Sequence, residues 1–387
     1  MHQDLTACRD LLGDFIAYDT VSDRSNLAMI GDLAGRLETI GARVEVLEDE
    51  TGGKANVFAS LGPEGDGGLV LSGHTDVVPV ADQTWASDPF EMTEHEGRLY
   101  GRGSCDMKGF IAACLVMAPR YAAGELNRPL HFAFTYDEEV GCFGALALAQ
   151  TLTRKGLRPA AALIGEPTSM RVIDGHKGCN EYTTRFTGLA GHGSTPDKGV
   201  NAVEYATRFV SRLMALQEAL RKRAPDGSRF APPWSTINVG GFHGGVAHNV
   251  IPSEAQVEWD FRPVQDADET FVKDDVEDYI ARTLLPAMRS VYPEAKITTE
   301  AIGEIRGLIP ADPNEARDIV LALTGANETG TVAFGTEAGI FQSLGMSAVV
   351  CGPGSIEQAH KADEFVALDQ LSSCLEMLEG LGRKLMA

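Results

Sequence analysis

The chain is poor in the features that hold or address a protein by simple means. Its seven cysteines are scattered singly from Cys8 to Cys374, without a CxxC pair. That excludes a disulfide frame and a thiolate zinc site, and leaves reduced thiols serving as small core residues. Long hydrophobic runs are missing too, since none approaches the roughly eighteen apolar residues that span a bilayer. The opening MHQDLTACRDLLGDF has neither the basic start nor the apolar stretch of a secretion signal, so the expected location is cytoplasmic. Positive charge is scarce: 33 Lys and Arg face 55 Asp and Glu, a net charge of −22. Nucleic acid and anionic membranes are therefore excluded as main partners, and a small-molecule substrate is expected. Aromatic residues are only 7%, yet 44% hydrophobic content over 387 residues suffices for packed cores in two or three domains.

Two amphipathic helices open the chain. Leu5, Cys8, Leu12 and Phe15 recur at helical spacing, as do Leu27, Ile30, Leu33 and Leu37 before Gly41. ARVEVLE, NVFASL, GLVLSG, RPLHFAFTY and AALIGEP then read as strands, the later ones apolar enough for burial on both faces, with helical segments such as MKGFIAACLVM between them. The alternation predicts an α/β sandwich. From about Gly178 the texture changes: CNEYTTRFTG and EAQVEWDFRP alternate like one-sided strands around the long amphipathic VNAVEYATRFVSRLMALQEAL. A small α+β insertion over 178–292 is expected, dividing a first domain of 1–177 and 293–387. No internal repeat or low-complexity tract interrupts this plan, and KRAPDGSRFAPPW is the most loop-like stretch.

Polar residues gather at the ends of the predicted strands. His74 and Asp76 close LVLSGHTDVVPV; Asp106 stands in GRGSCDMKGF, Glu138 and Glu139 in FAFTYDEEVG, Glu166 in ALIGEPTS and His360 in CGPGSIEQAHKADE. Singly, these are a helix cap, a solvated acidic pair and a loop imidazole. Jointly they lie at or beyond the carboxyl ends of strands, where open α/β sheets collect ligands. Two imidazoles and several carboxylates at one edge, with no Lys or Arg among them, repel one another unless a cation lies between. Five ligands exceed what one catalytic zinc takes from protein, so two metals sharing a carboxylate is the economical arrangement. A phosphate loop at GRGSCD fails, because the third glycine of GxGxxG is Asp106, which repels pyrophosphate.

SGHTDVVP, YGRGSCDMKGF, DEEVG, GEPTS and QAHKADE together resemble the metal-binding signature of the dinuclear zinc aminoacylase and carboxypeptidase family, the M20 metallopeptidases. TWASDPFEMTEHEGRLYG, HKG, KGVNAVE, FGTEAGIFQ and GPGSIEQAHKADE extend the likeness over nearly the whole chain. The resemblance implies a zinc-exopeptidase-like three-layer α/β/α catalytic domain with an inserted ferredoxin-like domain for dimerisation and closure. It implies two Zn2+ per subunit, replaceable by Co2+, with Asp106 bridging, His74 and Glu166 on one metal and Glu139 and His360 on the other. The resemblance likewise implies that Asp76 orients His74, that Glu138 is the general base, and that His192 in GLAGHGSTP reaches across a homodimer to stabilise the oxyanion.

The implied activity is removal of acetate from N2-acetyl-L-ornithine in arginine synthesis. A desuccinylase, a general N-acyl-amino-acid deacylase or a dipeptidase remains the alternative, because the metal motifs are common to all of them. Asn249 and Arg262 match family positions that hold the α-carboxylate, although an arginine closing a strand is commonly a surface ion pair. Glu337 in FGTEAG is read as facing the side-chain ammonium, or else as an ordinary acid at a helix start. His95, His131 and His243, like Cys105, are expected to be packing or surface residues.

Overall fold

A computed structural model describes residues 2–387. The chain divides into two compact units: one runs to Gly175 and resumes over Pro310–Thr331 and Thr336–Ala387, and the other takes His176–Ile309 and Val332–Gly335.

In the first unit the apolar segments become a mixed sheet in the order Arg43–Glu48, Ala55–Leu61, Leu130–Thr135, Leu69–His74, Ala161–Pro167, Ser347–Gly352, Ile173–His176, Gly330–Val332. Leu69–His74 runs parallel to both Leu130–Thr135 and Ala161–Pro167, and Ser347–Gly352 runs parallel to Ala161–Pro167. The first two strands add antiparallel at one edge. Leu69–His74, Leu130–Thr135 and Ala161–Pro167 are buried at every position, as strands covered on both faces must be.

Alternate residues choose alternate faces. Leu71, Phe132 and Leu163 join a core shared with the helices His2–Ile16, Leu27–Thr39, Lys108–Ala123 and Leu368–Met386. Ser72 points the other way and meets Glu337 at the start of the helix Ala338–Ser343, which packs with Phe143–Lys155 on that face. The result is a three-layer α/β/α arrangement. Phe132, fully buried, contributes on the order of 2–3 kcal/mol by leaving water. The two opening helices form as read; Gly41 at φ 83° reverses the chain after the second, and the Ala42 N–H bonds back to the Leu37 carbonyl at 3.1 Å.

The second unit is an antiparallel sheet in the order Thr236–Gly244, Glu254–Arg262, Cys179–Thr187, Lys296–Ile305. One face shares a core with Ala202–Arg221 and Asp266–Tyr279, through Phe209, Leu213 and Leu216 against Phe186, Val257 and Trp259. Strand, helix, strand, strand, helix, strand is the split βαβ order of ferredoxin-like folds. The insertion therefore runs past the expected 292. Lys296–Ile305, which the boundary at 293 had assigned to the returning first domain, pairs with Cys179–Thr187 as the fourth strand of this sheet. Its largely exposed residues suit an outer strand, not a buried one. Among the described residues no helix is long and apolar enough to cross a membrane.

Candidate metal centre and active site

The end of Leu69–His74 delivers His74 to the sheet edge with its side chain 1% exposed. Its Nδ1 lies 2.9 Å from the backbone oxygen of Asp76, and its Nε2 lies 3.1 Å from Asp106 Oδ1 and 3.8 Å from Glu166 Oε1. The other oxygen of Asp106 is 3.5 Å from Nε2 of His360, which is 3.0 Å from Glu139 Oε2. One carboxylate thus stands between two imidazoles. Asp106 is not a helix cap: that position belongs to Met107, which makes no side-chain capping bond. Ligand-type atoms of His74, Asp106 and Glu139, and again of His74, Glu138 and Glu166, lie within 4.8 Å of one another.

The loop holding Glu138 and Glu139 is tied from several sides. Asp76 accepts the Glu138 N–H at 3.0 Å and the Glu139 N–H at 3.2 Å, and its carboxylate also takes the Ser22 hydroxyl at 2.7 Å. The same carboxylate lies 3.7 Å from Nδ1 of His74, and the backbone carbonyl of Asp76 is the nearer partner of that nitrogen. Buried Asn56 accepts from the Tyr136 N–H at 3.2 Å and donates to the Gly144 carbonyl at 2.8 Å, closing the two ends of the loop. At Gly144 a Cβ would fall 2.6 Å from Asn56 Oδ1. Lys54 donates to Asp137, whose φ is 55°, and to the Ser22 carbonyl.

A second set of ties supports Asp106. The Glu364 carboxylate accepts the N–H groups of Gly103, Cys105 and Asp106 and pairs with buried Arg102 at 2.7 Å. Gln83 accepts from Arg102 and donates to the His360 carbonyl. Sequence reading passed over Lys54, Asn56, Arg102 and Glu364, although the last two stand inside the motifs GRGSCD and HKADE.

The electrostatics of the cluster are strained by its own charges. Burial pushes Glu138 and Glu166 well above the ordinary carboxylate range, and Glu139 up to about 7 with the Asp106 charge adding to the effect. Burial opposes charge on Asp106 as well, but the bonds from His360 and His74 win and hold its pKa low. Burial disfavours a charged His74; the bond to Asp106 and the Glu166 and Glu138 charges outweigh it and hold the ring well above its usual pKa. Bonds to Asp106 and Glu139 raise His360 to about 10.

The carboxylates Glu138, Glu139 and Glu166 are thus shifted toward protonation and the imidazoles toward positive charge. A divalent cation would supply that charge and release those protons. The donor set fits one: nitrogen and carboxylate oxygen, together with Glu166 Oε1, which is buried without a hydrogen-bond partner. The arrangement can hold metal and present a carboxylate, Glu138, beside it. The Cys142 thiol is 3.5 Å from Glu138 Oε1.

Glu337 belongs to the same unit but is 1% exposed. Its carboxylate accepts hydroxyls from Ser72, at 2.8 Å, and from Thr135. These bonds tie Glu337 to the strand ends at the start of the helix Ala338–Ser343.

His192, Asn249 and Arg262 all lie in the second unit. His192 is exposed on a two-residue strand paired with Val250–Ile251, and the Gly193 N–H donates to the Asn249 carbonyl at 2.7 Å. Arg262 closes the strand Glu254–Arg262 and donates to Asp260 at 3.0 Å. Of the remaining histidines, His95 and His243 are exposed, whereas His131 is buried, bonded to Ser60 at 2.8 Å and stacked on Phe58. Cys105 is buried.

Residues 70–384 match the profile of peptidase family M20/M25/M40. The acetylornithine deacetylase of Proteus mirabilis (strain HI4320) is 38% identical over 364 residues, covering 94% of this chain and 91% of that protein. Among solved structures, an M20 family metallo-carboxypeptidase from Sulfolobus solfataricus superposes with a TM-score of 0.75 at 18% identity, covering 100% of this chain and 99% of that one. A Bacillus subtilis protein described as a dinuclear metal binding peptidase of the M20 family gives 0.64 at 14% identity over 100% of this chain and 99% of its own. At such identities the structural likeness speaks for the fold.

Proposed function

The chain belongs to peptidase family M20/M25/M40 and is a hydrolase of amide bonds, and on that footing we propose that it cleaves N2-acetyl-L-ornithine to acetate and L-ornithine, a step of arginine synthesis. The observation that carries the chemistry is the junction at Asp106, whose two oxygens face two imidazoles. The substrate is supported by the full-length likeness to an acetylornithine deacetylase.

Two zinc ions, or cobalt in their place, would be held by His74 and Glu166 on one side, Glu139 and His360 on the other, and Asp106 between. When bound, such ions polarise the amide carbonyl and acidify water. Glu138 takes the proton of the attacking water and hands it to the departing nitrogen, because an amine expelled unprotonated is a poor leaving group. Its burial suits this work by favouring the protonated carboxyl in the second step. Asp76, Asn56 and Lys54 fix the backbone from which Glu138 projects. His192 of a partner subunit donates to the amide oxygen as it becomes negative, and Asn249 and Arg262 take the α-carboxylate. The homodimer this requires forms through the inserted unit.

A panel of N-acetyl and N-succinyl amino acids assayed with metal-replete protein tests the reading. The largest kcat/KM is expected for N2-acetyl-L-ornithine. A clear preference for a succinylated substrate or a dipeptide would overturn the substrate assignment and leave the amide hydrolase standing.

A further inference from the structure

The loop after the strand Gly191–His192 turns back at once: Thr195 N–H donates to the His192 carbonyl at 2.9 Å, and Gly193 is pressed so close to Asn249 that a Cβ would stand 3.1 Å from its backbone. Within this turn two groups of Ser194 converge on one atom of the His192 ring. The Ser194 backbone N–H points at Nδ1 from 3.2 Å, and the Ser194 hydroxyl lies 2.7 Å from the same nitrogen. A backbone N–H can only donate. Nδ1 must therefore present its lone pair, since a proton there would be forced against the amide hydrogen. The hydroxyl, free to rotate, then donates as well. A neutral imidazole carries one proton, and it is left on Nε2, which has no hydrogen-bond partner among the described residues.

We propose that Ser194 is a positioning residue for the reaction: by donating twice to Nδ1 it holds His192 as the Nε2–H tautomer, a neutral donor facing outward. The proposal rests on the reading of His192 as the group that answers the charge on the amide oxygen. When water adds to the carbonyl carbon, the π electron pair moves to that oxygen. The Nε2–H form meets it with a hydrogen, whereas the other tautomer meets it with a lone pair and repels it. Ser194 thus spares the site the free energy of selecting the right tautomer at each turnover, and it makes the donor without requiring a charged ring.

The test uses the full-length, metal-replete enzyme labelled with 15N-histidine. Two-bond proton–nitrogen correlation spectra report which ring nitrogen bears the proton, and His192→Gln identifies the His192 signals. The Nε2–H pattern is expected in the wild type. Ser194→Ala keeps the amide and loses the hydroxyl, so its ring should shift toward a mixture of tautomers while kcat falls roughly 3–10-fold, the worth of about one hydrogen bond, with KM little changed. Ser194→Thr should restore both the spectrum and kcat. An Nδ1–H pattern in the wild type overturns the proposal, as does a loss of activity in Ser194→Ala with the wild-type spectrum intact. Full activity in His192→Gln would reject the oxyanion reading alone and leave the tautomer result unaffected.

Discussion

The two units keep their polar residues in opposite ways. In the first, His74, Asp106, Glu139 and Glu166 are drawn inside or half inside and held by partners from distant parts of the chain. In the second, His192 and Asn249 are exposed; the His192 ring is met by the nearby Ser194, and the Asn249 carbonyl accepts from the Gly193 N–H. Burial without a matching charge is costly, so the first arrangement implies its missing cation from the inside. The second implies nothing until a substrate or a partner arrives. One region encloses its polar groups, and the other leaves them open to solvent.

The largest effect should come from separating the members of the acidic pair. Glu138→Gln is expected to keep both metals while activity falls by roughly 10²–10⁴-fold, the usual worth of a positioned base. Glu139→Gln should weaken one metal instead. Metal analysis finding the two variants equally depleted would erase the division of roles.

The next effect probes the exposed side of the comparison. His192→Ala should lose on the order of 10²–10³ in turnover. Mixed with Glu138→Gln under verified subunit exchange, it should recover toward half of wild-type activity, because one site of each heterodimer then has both groups. Activity that stays at the level of the separate variants would mean that His192 serves its own subunit.

A smaller effect concerns the ties beneath the buried side. Asn56→Ala leaves the Tyr136 N–H and the Gly144 carbonyl without their side-chain partner, at a cost of about 1–3 kcal/mol in denaturant unfolding. The Glu138 loop should loosen with it, lowering kcat roughly tenfold for each 1.4 kcal/mol added to the barrier. An unchanged kcat in a destabilised protein would confine Asn56 to folding. The smallest effect is expected at Glu337. Glu337→Gln should slow acetylornithine and an acetylated neutral amino acid alike, by roughly 3–10-fold. A loss confined to acetylornithine would instead assign Glu337 the contact with the substrate ammonium.

What could be read in advance follows from where the information lies. His74, Asp106, Glu138, Glu139, Glu166 and His360 each interrupt or follow an apolar segment, so the local pattern announces them. Asp76 stood out for the same reason, but its carboxylate partner lies across a different turn of chain, at the Glu138 and Glu139 amides. Asn56 and Glu364 gave no signal of their own, because their contacts join residues 80 and 262 positions apart in sequence. The end of the insertion is hidden for a related reason: the residues of Lys296–Ile305 do not say which sheet that strand joins, and only its pairing with Cys179–Thr187, as the fourth strand of a split βαβ unit, decides it.

The loop from Tyr136 to Gly144 is pinned at its two ends by Asn56 and in its middle by Asp76 and Lys54. Its outer residues Val140 and Phe143, and Leu146 one turn further on, are nevertheless open to solvent. Structural constancy and freedom to vary therefore occupy neighbouring positions. Substitutions at Val140 or Phe143 can therefore change the exposed apolar surface of this loop while the ties that hold the backbone under Glu138 stay in place.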